Sequence, residues 1–286
     1  MSPNGLEQLQ EQMKSLKLVT TAEELPLLVQ EASRADMSYT EFLGGLVQRE
    51  LAAKQERHTT MKTTMARFPF HKTLDSFDFK FQPSIEAKVV KELATCRFIA
   101  NAENVLLLGP PGVGKTHLAV GIGLKACAMG HATVFVTAAA LTAALVRAHN
   151  ENRLDQKLKQ LIQPRFLIID EIGYLPIERL GANLFFQLVS RRYERGSILI
   201  TSNQSLAGWG QVFGDQVIAT AILDRLLHHS TIINIKGESY RLKEKRKAGL
   251  LTRSEPYTAG QRPASDTHDV YSRSDMTEAK PAEVGD

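Results

Sequence analysis

The chain has 286 residues, 43% of them hydrophobic, with two cysteines and a formal net charge of +4. That is enough for one large domain with a buried core plus a smaller unit, and the isolated Cys96 and Cys127 exclude a disulfide framework or a cysteine-built metal site, reading instead as buried small residues in a reducing compartment. The last 36 residues, from Leu251, hold four basic and seven acidic side chains, so the body carries +7, a balance that favours an anionic polymer as partner.

The N-terminus, Met-Ser-Pro-Asn-Gly, has no basic-then-apolar signal pattern. The uncharged stretch from Ala126 to Val146 matches a membrane span in length, but Gly130-His131 breaks it and Thr133, Thr137 and Thr142 make it too polar. A soluble cytoplasmic chain with no membrane contact is expected.

Residues 5 to 65 read as helices. Leu6, Leu9, Met13, Leu16 and Leu18 recur near helical spacing, and Leu25, Leu27, Leu28 and Ala32 form a second pattern. Ser38-Tyr39-Thr40-Glu41 is a capping box that opens a longer helix through Phe42, Leu43, Leu46 and Leu51. Its later part carries Arg49, Lys54, Arg57, Lys62 and Arg67, a basic edge suited to DNA or a partner, or simply to solvent. From 66 to 103 the chain turns aromatic. Phe68, Phe70, Phe77, Phe79 and Phe81 around Pro69 and Pro83 predict a strap packed on the following domain, and a helix is expected from Ile85 to Ile99.

From 104 onward strands alternate with helices. Strands are predicted at Val105–Leu108, Thr133–Val136, Arg165–Ile169, Ile198–Thr201 and Ile232–Ile235, with helices at 115–129, 138–149, 151–162, 178–194 and 215–229. Apolar strands alternating with helices imply a parallel sheet covered on both faces. Beyond Leu250 the chain is polar and is expected to be disordered.

Three strand ends carry chemistry. Gly109-Pro110-Pro111-Gly112-Val113-Gly114-Lys115-Thr116 follows the first strand and fits G-x-x-x-x-G-K-[ST]. Its glycines let backbone N–H groups surround a phosphate chain, with the next helix directing its positive end at the same charge. Lys115 would reach the β- and γ-phosphates, and the Thr116 hydroxyl would ligate Mg²⁺. Phe166-Leu167-Ile168-Ile169-Asp170-Glu171 is a buried strand ending in two carboxylates, placed where parallel sheets bind ligands. Asp170 suits Mg²⁺, which takes oxygen ligands, and Glu171 could polarise the attacking water. Ile198-Leu199-Ile200-Thr201-Ser202-Asn203 repeats the design, with Asn203 able to donate to the γ-phosphate or the water.

Further on, Arg225 lies in the apolar helix around Asp224, where it either pairs internally or completes a neighbouring subunit's site. Arg241 could reach back to the phosphates, and the basic residues after it either touch DNA phosphates or face solvent. His228-His229 reads as packing or polar contacts, because adjacent histidines point apart on a helix and no partner ligand is near in sequence. Trp209 reads as a loop anchor rather than a base-stacking platform.

With these residues laid out, the chain resembles the IstB family, ATP-binding helper proteins of bacterial insertion-sequence transposition. The resemblance covers roughly residues 10 to 250 and is carried by Gly109–Ala119, Leu167–Pro176, Arg192–Ser197, Leu223–His229 and Gly237–Lys243. It implies an α/β fold: a P-loop AAA+ three-layer α/β/α domain of the initiator and helicase-loader branch, close to DnaC and DnaA, with a five-stranded parallel sheet. The implied organisation is a small all-helical domain (1–65), an aromatic linker (66–103), the ATPase domain (104–250) and a disordered tail (251–286). Lys115, Glu171, Asn203 and Arg225 take catalytic positions of that branch, the last as an arginine finger. Gly109, Pro110, Pro111, Gly112, Val113, Gly114, Lys115, Thr116 and His117 form the ATP cradle, with Arg241 as a further contact, and Thr116 and Asp170 hold Mg²⁺. The implied partners are duplex DNA, the transposase of the same element, and further copies of the chain joined through the ATP sites. The rival that the resemblance leaves is a DnaC-like replicative helicase loader.

Overall fold

The computed structural model describes residues 3–247, so the tail expected from Leu251 lies outside the described residues. Three helices open the chain: α1 (Pro3–Ser15), α2 (Val19–Ala35) and α3 (Tyr39–Ala66). The capping box forms as the sequence predicts. Ser38 Oγ accepts from the Glu41 N–H at 3.3 Å, and the Glu41 carboxylate accepts from the Ser38 N–H at 2.9 Å. Leu25, Leu28 and Leu46 are buried between the three helices, against Leu6, Leu9, Met13 and Phe42.

Much of the basic edge is engaged inside the chain. Arg49 pairs with Glu24 at 3.1 Å and Glu31 at 3.4 Å. Glu50, only 3% exposed, accepts from the Thr21 N–H at 2.9 Å and from Arg57 at 3.1 Å. Lys62 donates to Gly130 O at 2.5 Å and Gln55 to Ala128 O at 3.3 Å, so the second half of α3 lies on the following domain. The border expected at residue 65 therefore falls at the end of a helix that touches both parts.

A strap carrying one 3₁₀ turn (Leu74–Ser76) leads to α4 (Ala87–Leu93) and α5 (Arg97–Ala100). The single helix expected from Ile85 to Ile99 is broken because Cys96 takes a φ of +57°, which a right-handed helix cannot continue through. Cys96 and Cys127 are both buried and unpaired, and burial pushes the Cys96 thiol up to about 11.

The nucleotide-type domain runs β1 (Asn104–Leu108), α6 (Lys115–Ala128), β2 (Thr133–Thr137), α7 (Ala138–Asn150), α8 (Leu154–Ile162), β3 (Phe166–Ile172), α9 (Arg179–Arg192), β4 (Ser197–Ser202), α10 (Trp209–Phe213), α11 (Gln216–Leu227), β5 (Ser230–Asn234) and α12 (Tyr240–Lys247). All five strands are parallel, in the order β2-β3-β4-β1-β5. Side-chain alternation sends Phe166, Ile168 and Leu199 to one face, with α6 and the strap. Leu167, Ile169, Ile198 and Ile200 go to the other, with α7, α9 and α11. The three-layer α/β/α arrangement follows from that two-sided burial. Trp209 is fully buried beside Phe213 (centroids 5.6 Å apart), so it anchors the core and is not free to stack a base.

Arg192 is 1% exposed and donates to the carbonyls of Leu161 (2.7 Å), Pro164 (2.9 Å), Arg165 (3.2 Å) and Ser197 (2.9 Å). One guanidinium thus joins the loop before β3 to the turn before β4, and burial holds its pKa down to about 10. Arg192→Ala leaves those carbonyls without their donor and is expected to lower unfolding free energy by about 3 kcal/mol or more. Denaturant titration at constant m-value measures this, and a loss under about 1 kcal/mol would contradict the role assigned to the side chain.

Candidate nucleotide site

The loop between β1 and α6 lies at the C-terminal edge of the sheet. Gly114 has a φ of +101°, and a Cβ there would stand 2.6 Å from the Phe77 ring. Gly112 has a φ of +82°, and its missing Cβ would collide with Ser239. Both positions need glycine twice over, for the backbone turn and for the neighbour that packs on it. The Tyr240 N–H donates to Gly112 O at 3.0 Å, and Gln82 Nε2 donates to Glu238 O at 3.0 Å. The loop is thus clasped by the aromatic strap on one side and the start of α12 on the other.

A cavity of about 510 Å³ opens over this loop. Its lining includes Gly112 to His117, Phe77, Glu171, Thr201 and Arg241. Lys115 is buried and donates to Gly109 O at 2.6 Å and Pro110 O at 2.8 Å, carbonyl acceptors standing where phosphate oxygens are expected to compete. Burial holds its ammonium below the ordinary lysine value, with the Asp170 charge opposing that shift. His117 Nε2 lies 2.9 Å from Thr73 O and 3.2 Å from Ser76 Oγ, and its ring meets Phe77 edge-on, so it also fastens the strap to α6.

Asp170 is 3% exposed. Thr116 Oγ1 donates to both of its oxygens at 3.1 Å, and Thr201 Oγ1 donates to Oδ1 at 2.5 Å. The same Thr201 oxygen accepts from the Glu171 N–H at 2.9 Å. Burial still raises the Asp170 pKa above the ordinary carboxylate value, with these donors opposing it. The set around Asp170 and Thr116 is all oxygen, which fits Mg²⁺ and not a softer ion.

Between Ile169 and Ile172 the β3–β4 register slips, and two residues of β3 oppose one of β4. Those two are Asp170 and Glu171. Glu171 sits at φ +67°, a conformation that costs about 1–3 kcal/mol for a non-glycine residue. The bulge sends neighbouring carboxylates to different places, Asp170 inward to Thr116 and Glu171 outward to the cavity wall. Asn203 is displaced from that wall. Its Oδ1 packs beside Gly173 and has no hydrogen-bond partner among the described residues. Thr201, which sequence reasoning passed over as the last residue of an apolar strand, is the β4 side chain that faces the cavity. Its signal is the switch from Ile200 to a hydroxyl at the strand's C-terminal end.

Arg241 joins the cavity lining. Arg225 is not brought to this cavity. Its guanidinium donates to Ala221 O at 2.9 Å and lies 4.7 Å from the Phe186 ring centroid, so Asp224 is not what holds it. The histidine pair makes the polar contacts expected of it, but the two rings do not point apart. His228 caps α11 and His229 follows it, their ring centroids are 4.1 Å apart, and Glu194 is a neighbour of both. A larger cavity of about 660 Å³ lies beyond Glu171 and Tyr174, lined mainly by small and apolar groups of α7 and the loop after β3. The glycine loop and Lys115 line the smaller cavity instead, so that one is the candidate site.

A β2-β3-β4-β1-β5 parallel sheet, a glycine loop after β1 and a bulged acidic pair ending β3 define a P-loop domain of the AAA+ type. The chain belongs to the IstB-like ATP-binding protein family, whose profile matches residues 11–248. It is 52% identical over 242 residues to a protein of Pseudomonas aeruginosa named as an ATP-binding protein of insertion sequence IS21, covering 85% of this chain and 91% of that one. It is 47% identical over 240 residues to the corresponding protein named for IS5376 in Geobacillus stearothermophilus, covering 84% and 96%. A crystal structure described as a DNA replication initiation factor shares the fold at a TM-score of 0.50 and 21% identity, covering 63% of this chain and 55% of that one. Among the described residues no helix is long and apolar enough to cross a membrane.

Two substitutions test this geometry. Because burial raises the Asp170 pKa, the folded state binds its proton more tightly than the unfolded state. The ionised side chain therefore costs stability at neutral pH, and the cost fades as pH falls through the raised value. Asp170→Asn is expected to raise the denaturation midpoint at neutral pH without nucleotide or metal, with the gain disappearing in acid; a lower midpoint at neutral pH refutes it. Thr201→Val keeps the side chain's shape but orphans the Glu171 N–H and removes a donor from Asp170. It is expected to cost about 1–3 kcal/mol of stability and to lower ATP turnover more than ATP affinity, read from steady-state kinetics beside nucleotide titration.

Proposed function

We propose that the chain is a Mg²⁺-dependent ATPase that assembles with ATP on duplex DNA and assists the transposase of its own insertion sequence. Family membership supports the setting, and the +7 body supports a nucleic-acid partner. The observation that carries the ATPase reading is the division of labour at the β3 bulge, with Asp170 buried against Thr116 and Glu171 turned to the cavity.

In this reading the N–H groups of the Gly112–Thr116 loop and the Lys115 ammonium receive the triphosphate. Thr116 and Asp170 would hold Mg²⁺, which when bound draws charge from phosphate oxygens. Glu171 accepts a proton from the attacking water, as a carboxylate at the open edge of the site. Thr201 holds the Asp170 carboxylate and the Glu171 backbone through one hydroxyl. Arg241 adds positive charge beside the loop. Asn203 acts after a side-chain movement, since its Oδ1 now lies against Gly173. Arg225, held on α11 away from this cavity, supplies an arginine finger to the site of another copy.

Glu171→Gln is expected to bind ATP and accumulate as a DNA-bound assembly without turnover, and Arg225→Ala to lose turnover while binding ATP normally. Mixed at equal concentration, the two variants form interfaces that pair an intact Glu171 with an intact Arg225, so part of the activity returns. Phosphate release with and without duplex DNA, alongside particle size, reads all of this. Mixtures that stay as inactive as either variant alone would remove the finger in trans, and wild-type turnover in Glu171→Gln would remove the base.

A further inference from the structure

The edge of the sheet opposite the P-loop brings together two turns distant in sequence. The turn between α9 and β4 carries Tyr193 and Glu194, and the one between α11 and β5 carries His228 and His229. Glu194 Oε1 lies 3.8 Å from His228 Nδ1 and 4.0 Å from His229 Nε2. The three ligand-type atoms lie within 4.8 Å of one another, and all three side chains are exposed. We propose that Glu194, His228 and His229 form a binding site for a divalent transition-metal ion, with Zn²⁺ the best match.

Three features favour an ion over an incidental polar cluster. First, the donor set is two imidazole nitrogens and one carboxylate, which suits Zn²⁺, Co²⁺ or Ni²⁺ and not Mg²⁺. It is therefore chemically separate from the all-oxygen set at Thr116 and Asp170. Second, the backbones are already placed. Glu194 sits at a φ of +56° in the tight turn after α9, and the His229 carbonyl accepts from the Asn104 N–H at 2.8 Å, which pins that second turn to β1. Third, the spacing is close to what an ion needs. Ligands about 2.0–2.1 Å from a tetrahedral centre are about 3.4 Å apart, so a small rotation of exposed side chains closes the set and leaves one position open to water or a further side chain.

Tyr193 gives the proposal a discriminating test. Its ring stacks on His228 (5.7 Å between centroids, 26° between planes), and its hydroxyl lies 2.6 Å from His228 Nδ1, one of the ligand atoms. A bound ion has to displace that hydroxyl, whereas a cluster held only by hydrogen bonds depends on it. His228 also directly follows α11, the helix that bears Arg225, so an ion here would fasten that helix's C-terminal end to the turn after α9.

The experiment uses the full-length chain without an affinity tag and Zn²⁺ alone, titrated calorimetrically, with Co²⁺ absorption in the visible as a second probe. The wild type is expected to take up one tight equivalent of Zn²⁺, and Co²⁺ to give the intense bands of a tetrahedral site. His228→Gln and His229→Gln should each weaken Zn²⁺ at least about tenfold, no less than the loss of an outer partner costs at the low end. Glu194→Gln should weaken it less. Tyr193→Phe should bind as well as the wild type or better, because Nδ1 is freed. Zn²⁺ should also raise the thermal midpoint of the wild type and leave that of the His228→Gln/His229→Gln double variant unmoved, a comparison that holds even where a variant is less stable. Equal Zn²⁺ affinity in the double variant and the wild type overturns the proposal, as does loss of Zn²⁺ binding in Tyr193→Phe.

Discussion

The carboxylate of Asp170 is the point on which the nucleotide site depends. A charge this deeply buried is tolerated only where donors converge on it. The donors come from two directions, Thr116 at the start of α6 and Thr201 at the end of β4. Together they tie the P-loop helix, the acidic strand and the strand between β3 and β1 into one rigid corner. The threonine that satisfies Asp170 also takes the Glu171 N–H, so one side chain holds both the Asp170 carboxylate and the backbone that bears Glu171. Pre-organisation of that kind is what a hydrolytic site needs, since groups already in place need no reorganisation at the moment of reaction.

The loop itself is held from outside the sheet. Leu74 and Phe68 of the strap occupy the places where Gly121 and Gly123 of α6 would carry side chains, each with a ring or branch carbon about 2.6 Å from the missing Cβ. Phe77 does the same at Gly114, and Ser239 at Gly112. All four glycines are seats for side chains from two remote segments, and at Gly112 and Gly114 the positive φ requires glycine as well. Lys243 rests over the Phe81 ring at 3.9 Å, which joins those segments to each other. The cavity is therefore shaped by chain on both sides of the nucleotide-type domain as well as by the loop.

Sequence patterning carried far in this chain because its strongest signals are local. Four apolar residues followed by a glycine loop, or by two acids, mark strand and turn together. The sheet's composition and the capping box at Ser38 are as the periodicity predicts. What escaped depends on pairs far apart in sequence. The bulge at Asp170 and Glu171 arises from the register of β3 against β4, which no single segment encodes. Thr201 looks like a strand end until Asp170 is set opposite it. Cys96, at a φ of +57°, breaks a helix that the apolar spacing of Val90, Leu93 and Ile99 favours, and just beyond it Phe98 packs in the core beside Phe166. Adjacent histidines on a helix are expected to diverge, yet at the end of α11 the His228 and His229 rings lie 4.1 Å apart.

The strap also settles how the N-terminal helices relate mechanically to the P-loop. Lys62 and Gln55 fix the second half of α3 to the end of α6 and the turn after it, and Ala66 is fully buried there. Phe68 enters the α6 surface within two residues of the helix end, and His117, on the first turn of α6, holds the strap again at Thr73. From α3 to Phe77 the chain is thus attached to α6 along nearly the whole helix. A shift of the loop at Gly114 cannot leave Phe77 where it is, since ring and backbone are already in contact, and Phe77 cannot move without the strap. Whatever α3 carries on its free face is bound by sterics, not by a flexible linker, to the glycine loop after β1.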